Sequence, residues 1–207
     1  MSAMGSDWKD GFLFLGNQLA LDFLNTRPVH NGEPHELLVD FSALLRWFQA
    51  AGILSRSQAT KLERRWRESD RSRQTVEAMR ELREKLREEV LSWERGGAVR
   101  SSTVEALNRL LAKHPMLMRL KTEGGGATAE TYFEPDQPAD LFAPLAGSAA
   151  TLFASVDRER VRKCGQCVLH FHDTSKKGRR RWCSMQLCGN RLKVATYAAR
   201  QRRRGRG

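Results

Sequence analysis

The sequence has no run approaching the ~20 consecutive apolar residues that a membrane span needs, so no membrane partner is expected. Its first ten residues include Asp7, Lys9 and Asp10 and lack the apolar centre of a secretory signal, so a cytoplasmic location is expected. There is no glycine-rich phosphate loop, no Gly-x-Ser-x-Gly elbow and no His-Glu-x-x-His helix. The five histidines (His30, His35, His114, His170, His172) are scattered and make no acid–base set, so no enzyme is expected. Internal repeats are absent, and no low-complexity tract precedes Arg200. Acids are nearly missing from the last quarter. Residues 158–207 carry only Glu159 and Asp173 against 16 Lys and Arg, a net of +14, whereas residues 1–157 carry 20 Lys and Arg and 22 acids, a net of −2. The overall charge of +12 is thus a property of the C-terminal segment. Such a block binds polyanions by displacing their counterions.

Cysteine is scarce too: there are four, all in that same quarter. A cytoplasmic chain keeps its thiols reduced, and clustered thiols there are metal ligands more often than disulfides. Cys164-x-x-Cys167, fifteen residues, then Cys183-x4-Cys188 is the spacing of two ligand pairs of a structural zinc site. Four thiolates fill a tetrahedral shell and leave no position for water, so one structural Zn2+ and no catalytic metal is expected. His170 and His172 share a strand face and compete as ligands, their other reading being surface or supporting residues. An iron–sulfur cluster also takes four thiolates. Val168–His172 alternates as a strand, Asp173–Gly178 has turn chemistry, and Arg179–Trp182 is expected to return as the second strand. Gly189 allows a tight turn, and Asn190 suits the N-cap of a helix starting at Arg191. Knuckle, hairpin and helix make a treble-clef-like finger over 160–207.

The hydrophobic 40% suffices for a packed body over 11–157, of α+β class, mostly helical with a small β-hairpin. Gly11–Gly16 reads as a short strand, and a helix begins at Asn17 and stops before Arg27-Pro28. Residues 28–38 read as a loop. Asp40 caps a helix that ends at Gly52, and Ser55-x-x-Gln58 is a capping box. Asp70 caps a long helix with Val76, Met79, Leu82, Leu86, Val90 and Trp93 on one stripe. Its other face, with Glu77, Arg80, Glu81 and Arg87, reads as solvated and laced with ion pairs. Ser102-x-x-Glu105 opens another capped helix. Two alternating runs around Gly124–Gly126 form a β-hairpin. A helix over 140–162 is expected to join body and finger rigidly. Asn25, Thr26 and Arg27 interrupt an apolar segment. They serve as internal hydrogen-bonding groups or line a pocket for a small-molecule effector.

Arg181-Trp-Cys183-Ser-Met185 followed by Cys188-Gly-Asn-Arg191 resembles the signature of the CGNR zinc-finger family of bacteria. Gly16-Asn17-x-Leu19-Ala-Leu-Asp-Phe-Leu-Asn-Thr26 resembles the start of the ABATE domain that usually precedes that finger. The first cysteine pair is more closely spaced than in many members of the family, which tightens the knuckle without removing a ligand. The resemblance implies a stress-induced transcription regulator with a DNA-binding finger, and it favours DNA over RNA. The expected contacts are Lys176, Lys177, Arg179, Arg180, Arg181 and Arg191, with Arg200, Arg202, Arg203 and Arg204 as an arm on phosphates. In a strand, Arg179 and Arg181 would face one way and Arg180 the other. Trp182 reads as packing over the sulfurs. The alternative reading is a protein-interaction adaptor, and the body could also support a homodimer.

Overall fold

The computed structural model describes residues 7–30 and 32–189. Strands β1 (Trp8–Lys9) and β2 (Phe12–Leu13) pair antiparallel around Asp10 and Gly11. Both turn residues have positive φ, 49° and 81°, the left-handed pair that a two-residue hairpin turn requires. Helix α1 (Leu19–Leu24) starts two residues later than expected. Asn17 sits at φ 54°, and Gln18 is the cap, its side chain accepting from the Ala20 N–H. Ser148 reinforces this cap, accepting from the same N–H at 2.9 Å. The helix also ends early, at Leu24, with the Asn25 N–H bonding back to Leu21 and the Thr26 N–H to Phe23.

Gly16 approaches α1 so closely that a Cβ there would lie 2.7 Å from the Asp22 nitrogen. Its N–H donates to Asp22 Oδ1 at 2.6 Å. Burial raises the Asp22 carboxyl from 3.8 to about 6, although hydrogen bonds from the Gly16 and Leu15 backbone pull the other way. Because the folded pKa exceeds the unfolded one, this group's stabilisation is complete below pH ~4 and lost as pH rises through 6. Asp22→Asn keeps an acceptor and removes the titration. Denaturant unfolding at pH 5 and pH 7.5 should show the variant gaining on the natural protein with rising pH, out of about 3 kcal/mol for the full shift. A constant difference would contradict this account.

The segment read as a loop holds a minimal hairpin, β3 (Val29–His30) with β4 (Glu33–Pro34). Asp40 caps α2 (Phe41–Ala50), accepting from Ala43 N–H at 2.7 Å, and Gly52 at φ 75° follows its end. The Ser55/Gln58 capping box opens α3 (Arg56–Trp66). Helix α4 (Asp70–Glu94) is capped by Ser69, so Asp70 lies in its first turn instead, paired with Arg73. Helix α5 (Ser101–Lys113) has no cap from Ser102. The fully buried Glu89 of α4 takes that role, accepting from the Arg100 N–H (2.8 Å) and the Thr103 hydroxyl (2.6 Å). Strands β5 (Leu117–Glu123) and β6 (Gly126–Tyr132) form the expected hairpin, with Leu117 opposite Tyr132. A 3-10 turn over Pro138–Leu141 leads into α6 (Phe142–Ser155), which packs on α1 and α5.

The core gathers Leu21, Phe23, Leu44, Trp47, Phe48, Met79, Val90 and Leu145, with Trp47 packed edge-on to Phe48 at 4.9 Å. Each such side chain contributes ~1.5–3 kcal/mol by leaving water. Helix α4 touches α1 and α2 along this core, so its charged face is less solvated than its composition suggests. Arg83 is 1% exposed and donates to Glu36 and Thr26. Arg80 donates to the Leu38 and Val39 carbonyls, and Arg87 to that of Leu24. A helix surrounded on several sides buries part of its polar face, and its guanidinium groups reach carbonyls at the end of α1 and in the loop before α2.

The single helix expected over 140–162 is not formed. It stops at Ser155, Val156 is extended, Arg158–Arg160 make one 3-10 turn, and strand β7 (Val161–Lys163) follows. Among the described residues the last strand is β8 (His170–His172), antiparallel to β7. Among the described residues no helix is long and apolar enough to cross a membrane.

Candidate metal centre and basic surface

Strands β7 and β8 bracket the first cysteine pair. With Val161 opposite His172 and Lys163 opposite His170, the chain must reverse across Cys164–Leu169, and Cys164 N–H donates to the Leu169 carbonyl at 2.8 Å. The knuckle is tied to the second pair by Gly165 N–H, which donates to the Arg181 carbonyl at 3.0 Å. After Cys183, the Ser184 hydroxyl accepts from Gln186 N–H (3.1 Å). The Ser184 carbonyl accepts from both Cys188 and Gly189 at 3.0 Å, giving one π-helical turn over Met185–Gly189. That turn brings Cys188 back beside Cys183.

The four sulfurs lie within 4.8 Å of one another. Two of their separations, Cys167–Cys183 and Cys183–Cys188, are 3.7 Å. Sulfurs placed ~2.3 Å from a central zinc at tetrahedral corners stand ~3.8 Å apart, so the donor set fits that ion. The thiols alone suit each other poorly. Hydrogen bonds from Cys167 and Cys183 hold Cys164 well below the usual thiol range, and the same bonds push Cys167 and Cys183 up, while burial raises Cys188. A divalent cation removes that conflict by stabilising all four thiolates together. Cys164, Cys183 and Cys188 are 4%, 1% and 6% exposed, whereas Cys167 is only half-buried.

His170 is not part of this group. It is buried to 1% exposure, its ring nitrogens have no hydrogen-bond partner among the described residues, and burial lowers its pKa to about 4, with Arg87 and Lys163 adding to the effect. It is therefore neither a surface residue nor a ligand, because β8 is pressed against the body. The half-buried His172 also lies outside the cysteine group.

Segment 179–182 does not return as a strand, since β7 already occupies the edge of β8 it would have taken. Asp173 holds the turn instead. Its carboxylate accepts from Ser175 N–H (3.0 Å) and Arg180 N–H (2.8 Å). Burial opposes ionisation there, but these bonds outweigh it and keep the carboxyl below its ordinary range. Arg160 donates to the Asp173 and Ser175 carbonyls and Arg162 to that of Gly178. Lys176, Lys177, Arg179 and Arg181 stay exposed on the turn so braced. Arg180 faces inward, 4.9 Å over the Phe171 ring and bonded to the Cys183 carbonyl, so it belongs to the scaffold. Trp182 packs against the cysteine cluster, with Arg181 5.3 Å over its ring. Asn190, Arg191, Arg200, Arg202, Arg203 and Arg204 lie outside the described residues, as does the helix expected from Asn190.

Among the described residues the finger does not close its own core. Leu13 and Leu15 pack with Leu169, Phe171 and the buried cysteines. Asn25 exchanges two hydrogen bonds with the His170 backbone, Nδ2 to O at 2.9 Å and N to Oδ1 at 2.8 Å. His172 N–H donates to the Gly16 carbonyl (2.8 Å), and Asn17 Nδ2 donates to the His172 carbonyl (2.9 Å). Gly16, Asn17 and Asn25 thus serve the free edge of β8 as a neighbouring strand would. Ser184 bonds to Asp7, and Lys163 N–H to Glu94.

The three residues considered for an effector pocket have separate surroundings. Asn25 binds the finger. Thr26 donates to the Phe23 carbonyl and accepts from Arg83. Arg27 pairs with Glu84 on the rim of an open, charged depression of about 520 Å3. A different cavity, about 310 Å3, lies between the body's 28–37 segment and the finger, bounded by Leu37, Val168, Leu187 and Cys167. Sequence reasoning missed it, together with Arg83, Leu13 and Leu15, because each depends on partners distant along the chain.

Two family models match the chain. ABATE, described as "Putative stress-induced transcription regulator", matches residues 17–156, and CGNR zinc finger matches residues 160–201. No curated protein matches it.

Proposed function

From the premise that the chain belongs to the ABATE family and ends in a CGNR zinc finger, we propose that it regulates transcription by binding DNA through the finger. Cys164, Cys167, Cys183 and Cys188 would hold one Zn2+, which supplies rigidity and no chemistry, its shell being complete. The observation that carries the reading is the braced turn: Lys176, Lys177, Arg179 and Arg181 are exposed on the segment between the two cysteine pairs, while Asp173, Arg160 and Arg162 fix its backbone. Cations held in fixed positions neutralise phosphates and set register on a duplex. The basic residues beyond 190 would add phosphate contacts.

The body would act as the sensing or dimerisation module, in the cytoplasm and without catalysis. The paired bonds of Asn25 with β8 are its direct line to the finger. A protein-interaction adaptor is the alternative, and one experiment separates the two. Replacing Lys176, Lys177, Arg179 and Arg181 by glutamine should weaken binding to duplex DNA and lower the slope of log K against log salt by ~0.9 for each phosphate left without its cation. Zinc content should not change. No affinity at low salt, or an unchanged slope in the variant, would overturn the proposal in favour of the adaptor.

A further inference from the structure

We propose that Cys167 is a modification site for small, uncharged electrophiles that enter the apolar cavity between body and finger. The inference rests on the zinc-finger reading and extends it to regulation. Cys164 and Cys183 are sealed, at 4% and 1% exposure, whereas Cys167 and Cys188 both line the cavity, and of these two Cys167 is the more exposed, half-buried against 6%. About 310 Å3 is at the small end of the ~300–1,000 Å3 usual for ligand sites. Among the described residues no carboxylate, lysine or arginine lines it, and His35 is its one ionisable group other than the cysteines. The remaining wall is apolar, including Leu13, Pro28, Leu37, Val168 and Leu187. An uncharged molecule therefore enters without losing strong hydration, whereas an ion would go unpaired.

The class of molecule follows from the sulfur. As a zinc ligand Cys167 would be a thiolate, the soft nucleophilic form of cysteine. An α,β-unsaturated carbonyl compound held in the cavity presents its β-carbon to Cys167. The S–C bond forms as the C=C π bond breaks, and the electron pair moves to the carbonyl oxygen. The resulting enolate takes a proton from water at its α-carbon. No oxidant is needed and no group leaves. The product is a neutral thioether, which holds a dication far less strongly than a thiolate does. The cavity is built from both halves: Pro28, Val29 and Leu37 come from the body, and Val168, Leu169 and Leu187 from the finger. An adduct there changes the metal shell and the body–finger contact in one step, and both position the basic turn.

The test uses the zinc-loaded full chain and limiting N-ethylmaleimide, with a sulfonated maleimide as the charged counterpart. Zinc content and DNA affinity, measured before treatment, check the functional reading independently. Peptide mass spectrometry should then find Cys167 modified at least tenfold faster than the other three cysteines. Zinc release should follow the Cys167 adduct, and the charged reagent should react tenfold more slowly after normalising both to glutathione. Val29→Trp, placed at a position 40% exposed on the cavity's body side, should slow the Cys167 adduct severalfold with zinc content unchanged. Even modification of the four cysteines, or equal normalised rates for the two reagents, would overturn the proposal even in a protein that binds zinc and DNA.

Discussion

Replacing Cys183 by serine is expected to empty the metal site and unfold the finger while leaving the helical body folded. Cys183 is the most buried of the four, at 1% exposure, and takes part in both 3.7 Å sulfur separations. Structural zinc contributes an apparent ~10–16 kcal/mol in isolated fingers, more than so small a core can replace. Here the loss spreads along a defined route. Leu13 and Leu15 lose the partners they share with Leu169 and Phe171, and Asn25, Gly16 and Asn17 lose the edge of β8. The β1–β2 hairpin should therefore loosen together with residues 160–189, although the two lie at opposite ends of the sequence. The principal core, around Trp47 and Met79, holds none of the cysteines. Metal analysis should give no zinc, far-ultraviolet circular dichroism should keep most helical signal, and limited proteolysis should cut both the finger and the segment ahead of α1. Stoichiometric zinc with an unchanged melting temperature would contradict the assignment of the site.

Arg83→Met should cost about 2–3 kcal/mol of body stability, below the ~3–5 kcal/mol of a fully buried ion pair because the Glu36 side chain is 27% exposed. The Arg83 side chain is 2% exposed and bridges Glu36 to the Thr26 hydroxyl. Arg83→Lys should fail to rescue, since an ammonium cannot reproduce the forked contact with Glu36 and Thr26. Arg83→Met with Glu36→Gln should recover part of the loss, because no carboxylate is then left without its partner. Burial on its own would raise the Glu36 pKa, but the hydrogen bonds and charge of Arg83 outweigh it and hold it below its ordinary value. A depressed folded pKa gives stability that is complete above the unfolded value of 4.5 and is lost as pH falls through the folded one. The natural protein should therefore lose this contribution on acidification, and Arg83→Met should lack that component. Urea unfolding at pH 7 and pH 4 measures both effects. A change under 1 kcal/mol at pH 7 would show that the pair is dispensable.

Much of this molecule follows from short-range rules. Asp40, the Ser55/Gln58 box, Gly52 and the Gly124–Gly125 turn act within four residues of themselves, and each is formed as its local chemistry requires. The α4 stripe from Val76 to Trp93 repeats with helical period and is buried apart from the half-buried Leu82. The cysteine spacing is likewise a local pattern that tells which side chains meet. Elsewhere two local solutions competed, and more distant contacts chose between them. Ser102 had the spacing of a cap, yet Glu89 from a neighbouring helix caps α5. The basic run 158–163 suited a helix, yet it makes a turn and the strand that pairs with β8.

By itself the sequence determined the α+β class, the positions of most helices and of the β5–β6 hairpin, the four-cysteine donor set and the concentration of positive charge around it. Those properties depend on composition, periodicity and spacing, which are complete in the unfolded chain. Tertiary structure alone decided that Arg83 and Glu89 are buried on a face patterned like a solvated one, and that Arg180 turns inward between two outward arginines. It also decided that Asn25 is joined to a strand 145 residues away. An arginine reads the same in sequence whether its guanidinium meets water or a carbonyl, and a strand edge does not specify its partner. Both are settled by the need to satisfy every polar group that packing removes from water.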